Sequence, residues 1–426
     1  MAHKRGGRQS HFREFGPPVF RLIIPDEVVE SIAARHGADK RKRKIPVVVH
    51  LWLLVVAQID SRARCLDALI RSVWEGWRQH LGLSAKSKGL DKAALSRKNS
   101  TRLPAIFRDI FEWLLKKHQV RFGGHLRLPA IGKNLAIIDS TVIDVASRLY
   151  RWFFNAGRHC KAGKAQVKVH MLYDADGRVP RWAEISRGSA HDFKWVKRLL
   201  RKAKSKTLFL FDRGYFSVNL FKLLVRRRHG FVTRLKENAV MRKVRRLGKG
   251  DWLVEFESDR KRPLHLRMVE WRTDAGEKLV FLTSLLDAKK YPREMIAELY
   301  VMRWEIETFF RDLKHVLRMK SFLSRSANGI RLEIYAALIA HVLMKYVRAC
   351  AAEEANAGED DLSLKRVVDE TAIWLGAAPE RCYRVGRKES DAQWKDFLAA
   401  LASYGLFRKR KSASLAGKKA SKRDAA

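Results

Sequence analysis

The sequence is short of acid. Its 426 residues hold 45 Asp and Glu against 88 Lys and Arg, a formal net charge of +43. Such an excess repels itself and calls for a polyanionic partner, with nucleic acid ahead of an anionic membrane surface. Cysteine is scarce as well. Cys65, Cys160, Cys350 and Cys382 lie far apart, with no CxxC pair and no zinc-ligand spacing. A disulfide framework and a zinc module are therefore not expected, and a reducing interior fits. His159, His170 and His191 match no zinc pattern either. One apolar run tempts a membrane reading but falls short of the roughly 20 residues of a span. That run, residues 45–57, follows five consecutive basic residues and is interrupted by His50, so it reads as a buried helix. The basic start has no apolar signal-like segment, so no secretion signal is read.

What is present is a large core. Hydrophobic residues make up 46% of the chain, with 12 Trp and 21 Phe, which excludes wholesale disorder. The length suits two or three domains. Residues 1–44 read as a basic, partly disordered arm. Helical spacing follows over 45–59, 65–77, 92–99 and 103–117, with Asp91 and Ser100 placed as N-caps. Together these give a helical domain over 45–128, expected to bind DNA, ending in a linker marked by Gly123-Gly124 and Pro129. The period then changes. Strands are expected at 134–143, 165–173, 179–186, 207–211 and 231–235, with helices at 192–203 and 218–228. This is an α/β mixed sheet with helices packed on it. Alternating stretches over about 238–288 predict an antiparallel β insertion. A long helix is expected over 293–317, then helices at 330–348, 362–375 and 391–404, and a basic disordered tail over 408–426.

The acids that remain are placed suggestively. Asp139 interrupts an apolar strand, where a lone charge is costly. Asp212 ends another strand, where ligands of open α/β sheets sit. At 100° per residue, Tyr300, Arg303, Glu307 and Lys314 share a stripe roughly 60° wide bordering the packed face of the long helix. Plain readings exist for each: a turn or cap aspartate, or a Glu307 paired at helical spacing with Arg303 or Arg311. Taken together, three acids could share two divalent cations and cut a phosphodiester, with magnesium the suitable ion. Arg303 and Lys314 would neutralise phosphate, and Tyr300 would bond a phosphate or stack on a base.

These residues resemble a known group, the bacterial DDE transposases of the insertion sequence four family. The family signature, Tyr-x2-Arg-x3-Glu-x6-Lys, is matched in every residue and gap by Tyr300, Arg303, Glu307 and Lys314. Asp139-Ser140-Thr141, at the end of a strand, and Asp212-Arg213-Gly214-Tyr215 are similar to the segments carrying the two catalytic aspartates. Lys168-Val-His170, His191-Asp192 and Leu282-Thr-Ser-Leu-Leu286 fit as well. The resemblance implies a ribonuclease H-like catalytic domain over 129–350, interrupted by the β insertion and followed by a C-terminal helical region over 351–407. It implies catalytic, metal-holding roles for Asp139, Asp212 and Glu307, with two Mg²⁺, or Mn²⁺ in their place. It further implies cut-and-paste transfer of terminal inverted repeats into target DNA, a homodimer on DNA, no membrane, and a place in the bacterial cytoplasm at the nucleoid. Excision through a DNA hairpin with a flipped base would make Trp252, Trp271 and Trp304 stacking candidates.

Further DNA contacts are expected from Arg213 and from the basic helix carrying Lys194, Lys197, Arg198, Arg201 and Lys202. Residues 95–102 could form the turn and recognition start of a helix-turn-helix, using Arg97, Lys98, Asn99 and Arg102, or a plain helical hairpin. Two competing functions share the composition: a catalytically inactive DNA-binding repressor derived from a transposase, and a ribonuclease H-like nuclease without strand transfer.

Overall fold

The computed structural model describes residues 18–40, 45–60, 62–63, 65–71, 90–118, 134–145, 165–256, 263–319, 321–377 and 387–405. The start of the basic arm, the glycine linker, His159, Cys160, Cys382 and the basic tail lie outside the described residues. Contacts divide the chain into two compact units. One comprises Met1–Lys117, Val145–Trp152 and Arg311–Arg410; the other His118–Asp144, Phe153–Phe310 and Lys411–Ala426. This differs from the expected division, in which 129–350 forms one domain and 351–407 a separate region.

Two largely buried helices run through the first unit. The first unit contains α1 (Pro18–Ile23), α2 (Asp26–Arg35), α3 (Val47–Ile59), α4 (Leu66–Leu69), α5 (Lys92–Thr101) and α6 (Pro104–His118). Every residue of α3 is buried, as the sequence predicts for this stretch. A helix apolar all round must be covered on every side, and α3 packs on the 28-residue helix Ala327–Glu354 from the other end of the chain. That helix is long and apolar enough to cross a membrane, but 83% of its apolar window is buried within the protein.

Asp91 caps α5 as expected, its side chain accepting from the N–H groups of Ala93 and Ala94. Ser100 does not cap the next helix. It lies inside α5 and donates to the Ser96 carbonyl, because the helix ends only at Arg102-Leu103, before Pro104 opens α6.

The second unit is built on one nine-stranded mixed sheet. Its strands are β1 (Leu135–Val145), β2 (Ala165–Asp174), β3 (Val179–Arg187), β4 (Leu208–Phe211), β5 (Gly230–Arg234), β6 (Arg242–Gly248), β7 (Asp251–Phe256), β8 (Leu264–Arg272) and β9 (Lys278–Thr283). They lie in the order β3-β2-β1-β4-β5-β9-β8-β7-β6. β1, β4 and β5 run parallel, while β9 joins β5 antiparallel. The β insertion therefore does not form a sheet of its own; it extends the central one.

Helices α7 (Asp192–Leu200) and α8 (Val218–Arg226) pack on one face. Val196, Leu199, Phe221 and Leu224 meet Ala136 and Ile138 of β1, Phe209 and Phe211 of β4, and Phe231 of β5. Side chains alternate along a strand, so Asp139 and, just past β4, Asp212 belong to the opposite face. There α9 (Arg293–Val301) and α10 (Trp304–Arg311) supply the cover: Tyr300 packs on Phe281 with ring centroids 5.0 Å apart, and Phe309 on Tyr173 at 5.1 Å. The remaining helices of the first unit are α11 (Ala327–Glu354), α12 (Leu364–Ala377) and α13 (Arg387–Gly405).

Candidate active site

Strand register brings the two aspartates together. On the parallel pair β1–β4, Ile138 stands opposite Phe211. The next residues, Asp139 and Asp212, thus follow directly on the last paired position of two adjacent strands. The sequence reading placed Asp139 at a strand end. β1 in fact continues to Val145, and only its pairing with β4 stops at Ile138.

Glu307 comes to the same face on α10. The expected continuous helix over 293–317 is broken at Met302-Arg303, where the Arg303 N–H bonds the Tyr300 carbonyl at 3.1 Å, one residue short of α-helical register. It ends in a π turn over Asp312–Val316. This break changes the outcome of the helical wheel. Tyr300 is only 6% exposed and Arg303 7%, rather than both lining an open border. Arg303 pairs with Glu307 at 2.8 Å. Burial opposes the charge of Arg303, but Tyr300, Glu307 and Asp212 outweigh it and raise its pKa. Burial also raises the Tyr300 pKa. With its ring against Phe281, Tyr300 presents little surface for a base.

Electrostatics show that Asp139 senses the other two acids. Burial pushes the Asp139 pKa up to about 6, and the nearby charges of Asp212 and Glu307 add to that, against the Ser140 N–H and Arg303. A raised carboxyl pKa favours the folded state below pH 4, and that advantage is lost as pH rises through 6. Asp139→Asn keeps the acceptor for the Ser140 N–H and removes the charge. In EDTA at pH 8 it should therefore stabilise the fold by up to about 3 kcal/mol, a gain that vanishes near pH 4. Urea unfolding at the two pH values checks this.

Among the described residues no three acidic, His or Cys side chains converge closely enough to chelate one ion. Glu307 is turned to Arg303, whose guanidinium supplies the positive charge near the three acids. The donor chemistry nevertheless suits a hard divalent cation: carboxylate oxygens, one of them on Asp139, whose burial resists a bare negative charge.

Behind Asp139 lies a polar network that the sequence reading noted only in pieces, as Lys168-Val-His170 and His191-Asp192. The Ser140 N–H donates to Asp139 at 2.8 Å, and the Ser140 hydroxyl to Asp192 at 2.7 Å. Asp192 also lies 3.4 Å from Lys168 Nζ and 3.2 Å from His170 Nδ1. Burial would raise the Asp192 pKa, but bonds from His170 and Ser140 prevail and bring it down to about 2. Asp192 is thus a fixed anion tying β1, β2 and α7 together. Groups that orient a metal-holding carboxylate are typically worth roughly 10- to 100-fold in metal affinity or activity. Ser140→Ala should slow single-turnover end cleavage about tenfold, and adding Asp192→Ala should cost little more, because the two act as one unit.

The other expected contacts are distributed unevenly. Trp304 is 46% exposed, with Arg303 4.9 Å from its ring centroid. Trp252 is half-buried on the core beneath Lys243, and Trp271 is half-buried near Arg293. Lys197 and Arg201 are exposed on and just after α7. Arg213 is exposed and donates to Glu237 at 2.7 Å. Lys314 sits on the π turn, which belongs to the helical unit. In that unit Arg97 is exposed and Lys98 half-buried on α5. Arg102 is a correction: it is 6% exposed, donating to the Ile45 carbonyl at 2.7 Å, because it closes the end of α5 inward. The segment expected to be a turn is helix up to Thr101.

Residues 131–343, half of the chain, match the transposase DDE domain family. The transposase InsG for insertion sequence element IS4 of Escherichia coli K12 is 31% identical over 351 residues, 76% of this chain and 74% of that protein. A putative transposase, y4zB, of Sinorhizobium fredii is 29% identical over 266 residues, 59% of this chain and 70% of that one. Among solved structures, a piggyBac transposase synaptic complex with hairpin DNA covers 94% of this chain and 88% of that one, at 14% identity and a TM-score of 0.44. The family match and the InsG likeness agree with the signature read in the sequence: the chain is a DDE transposase of the insertion sequence four family, an enzyme class that cuts and joins DNA strands with divalent metal ions.

Proposed function

We propose that the protein moves an insertion sequence by cut-and-paste, using Asp139, Asp212 and Glu307 to hold two Mg²⁺ ions at the ends of the element, with Mn²⁺ able to replace them. The reading is carried by one observation: the β1–β4 register and α10 direct three carboxylates to one sheet face, within electrostatic reach of each other. The order β3-β2-β1-β4-β5, with helices on both faces, supports a ribonuclease H-like core. When bound, the metal would activate a water or 3′-hydroxyl and stabilise the leaving oxygen.

The protein's own groups do the rest. Arg303 releases Glu307 and takes a DNA phosphate, an exchange of one anionic partner for another. Trp304 offers the open aromatic face for a flipped base. Arg213, Lys197 and Arg201 hold backbone phosphates, as do Lys314 of the signature and Arg97 and Lys98 of the helical unit, while buried Tyr300 packs beneath Arg303. Two copies pair the terminal inverted repeats before joining them to target DNA, in the bacterial cytoplasm.

The test combines purified protein, linear DNA ending in the element's terminal repeats, a target plasmid and Mg²⁺. Joined products are expected. Cleavage without joining would indicate a nuclease instead, and binding alone a repressor.

A further inference from the structure

Arg102 leaves a charge unanswered in the helical unit. Its side chain is 3% exposed, yet Nε has no hydrogen-bond partner, and Nη1 has only the Asp39 carboxylate at 3.7 Å, too far for a hydrogen bond. Only Nη2 is satisfied, by the Ile45 carbonyl. Asp39 is itself engaged, accepting the Val47 N–H at 2.6 Å. A buried guanidinium with free donors is costly unless an anion completes it. The shortfall registers nearby: burial brings the Arg102 pKa down to about 10, and Arg102 and Lys98 add to the burial that drives the His50 pKa down to about 3.

Arg102 borders a cavity of about 430 Å³ shared with Lys40 and Lys98, the polar Thr101 and the turn at Gly37. Asp39 is the one acid in its lining, and His36 there is already bonded to Asp109 at 2.8 Å. We infer that this cavity, between the turn after α2 and the C-terminal end of α5, is a binding site for a phosphate group, with Arg102 as its floor and Lys40 and Lys98 at its rim. The planar fork of Arg102 matches phosphate oxygens, while the lysines act as point charges. The phosphate comes from a DNA backbone or from a free phosphoanion. The DNA source rests on the function proposed above; the site itself does not.

The full chain, without DNA or metal, is titrated with inorganic phosphate and followed by ¹⁵N-edited NMR. The Arg102 Nε–H resonance is identified by its loss in Arg102→Lys. A saturable shift of that resonance is expected, weakened about tenfold in Lys98→Ala, the loss of one charge-assisted bond. Lys98 is only half-buried on α5, and its effect is read equally from the backbone amide shifts of Gly37, Thr101 and Leu103 lining the cavity, so Lys98→Ala tests the site even if Arg102→Lys fails to fold. Binding of repeat-ended duplex is then measured against salt. If the phosphate belongs to DNA, Lys98→Ala lowers the slope of log K against log salt by about 0.9; an unchanged slope assigns the site to a free phosphoanion. No saturable shift at Arg102, or one that Lys98→Ala leaves intact, overturns the site. Because that titration involves no strand chemistry, its failure is distinct from a failure of the transposition reading.

Discussion

Asp139→Ala, Asp212→Ala and Glu307→Ala should each reduce strand cleavage and joining by about three orders of magnitude or more, the several kcal/mol that a catalytic cation supplies. Binding of the element's ends should persist in all three, and tighten slightly, because each substitution removes a negative charge from beside the phosphates. The three variants are not equivalent structurally. Glu307→Ala strips the partner from Arg303, which is only 7% exposed, so a loss of stability there would confuse the result. Glu307→Gln retains a hydrogen-bond acceptor for Arg303 and should be as inactive with an intact fold. Single-turnover cleavage of an end-labelled duplex, beside a gel-shift titration, separates chemistry from binding. Ordinary cleavage in any one variant would remove that residue from the site.

Arg267→Ala should destabilise the protein by about 3–5 kcal/mol, the cost of leaving a buried charge unpaired. Arg267 is fully buried on β8 and bonds Asp251 of β7 through Nε at 2.8 Å and Nη2 at 2.6 Å. Its Nη1 also reaches the Tyr291 carbonyl at 2.6 Å, just before α9. The bridge thus fastens the insertion strands to the segment that leads to Tyr300 and Glu307. Replacing both partners, as Arg267→Met with Asp251→Leu, should recover much of the loss, since neither charge then remains buried alone. Urea unfolding of the single and double variants gives the comparison. A single variant within about 1 kcal/mol of wild type would show that the pair contributes only as an exposed bridge does.

The central strands were legible because they are buried on both faces and read as short apolar runs: Leu208–Phe211 is wholly buried, and the sequence expectation began one residue earlier. β6 was not legible. Its sequence, RKVRRLG, has no buried member and forms an edge, where Lys and Arg are tolerated and discourage further pairing. The three acids could be named from their spacing and neighbours, since strand register carries Asp139 and Asp212 together once the strands are placed. The environment of Glu307 could not. A helical wheel assumes an unbroken helix, and this one is broken at Met302-Arg303. The burial of Arg102 was not legible for a related reason: a basic residue near a helix end reads as surface, but the chain turns this one inward to Ile45. The Asp192 network joins residues from β1, β2 and α7, and no local period links them.

The central claim is that Asp139, Asp212 and Glu307 form one metal-holding centre. Metal-stripped protein bound to a repeat-ended duplex, titrated with Mn²⁺ while free ion is counted by electron paramagnetic resonance, tests it most directly. Saturable binding is predicted for the wild type, and its loss in each of Asp139→Ala, Asp212→Ala and Glu307→Gln. Full Mn²⁺ binding by any one of these variants, with the duplex still bound, would contradict it.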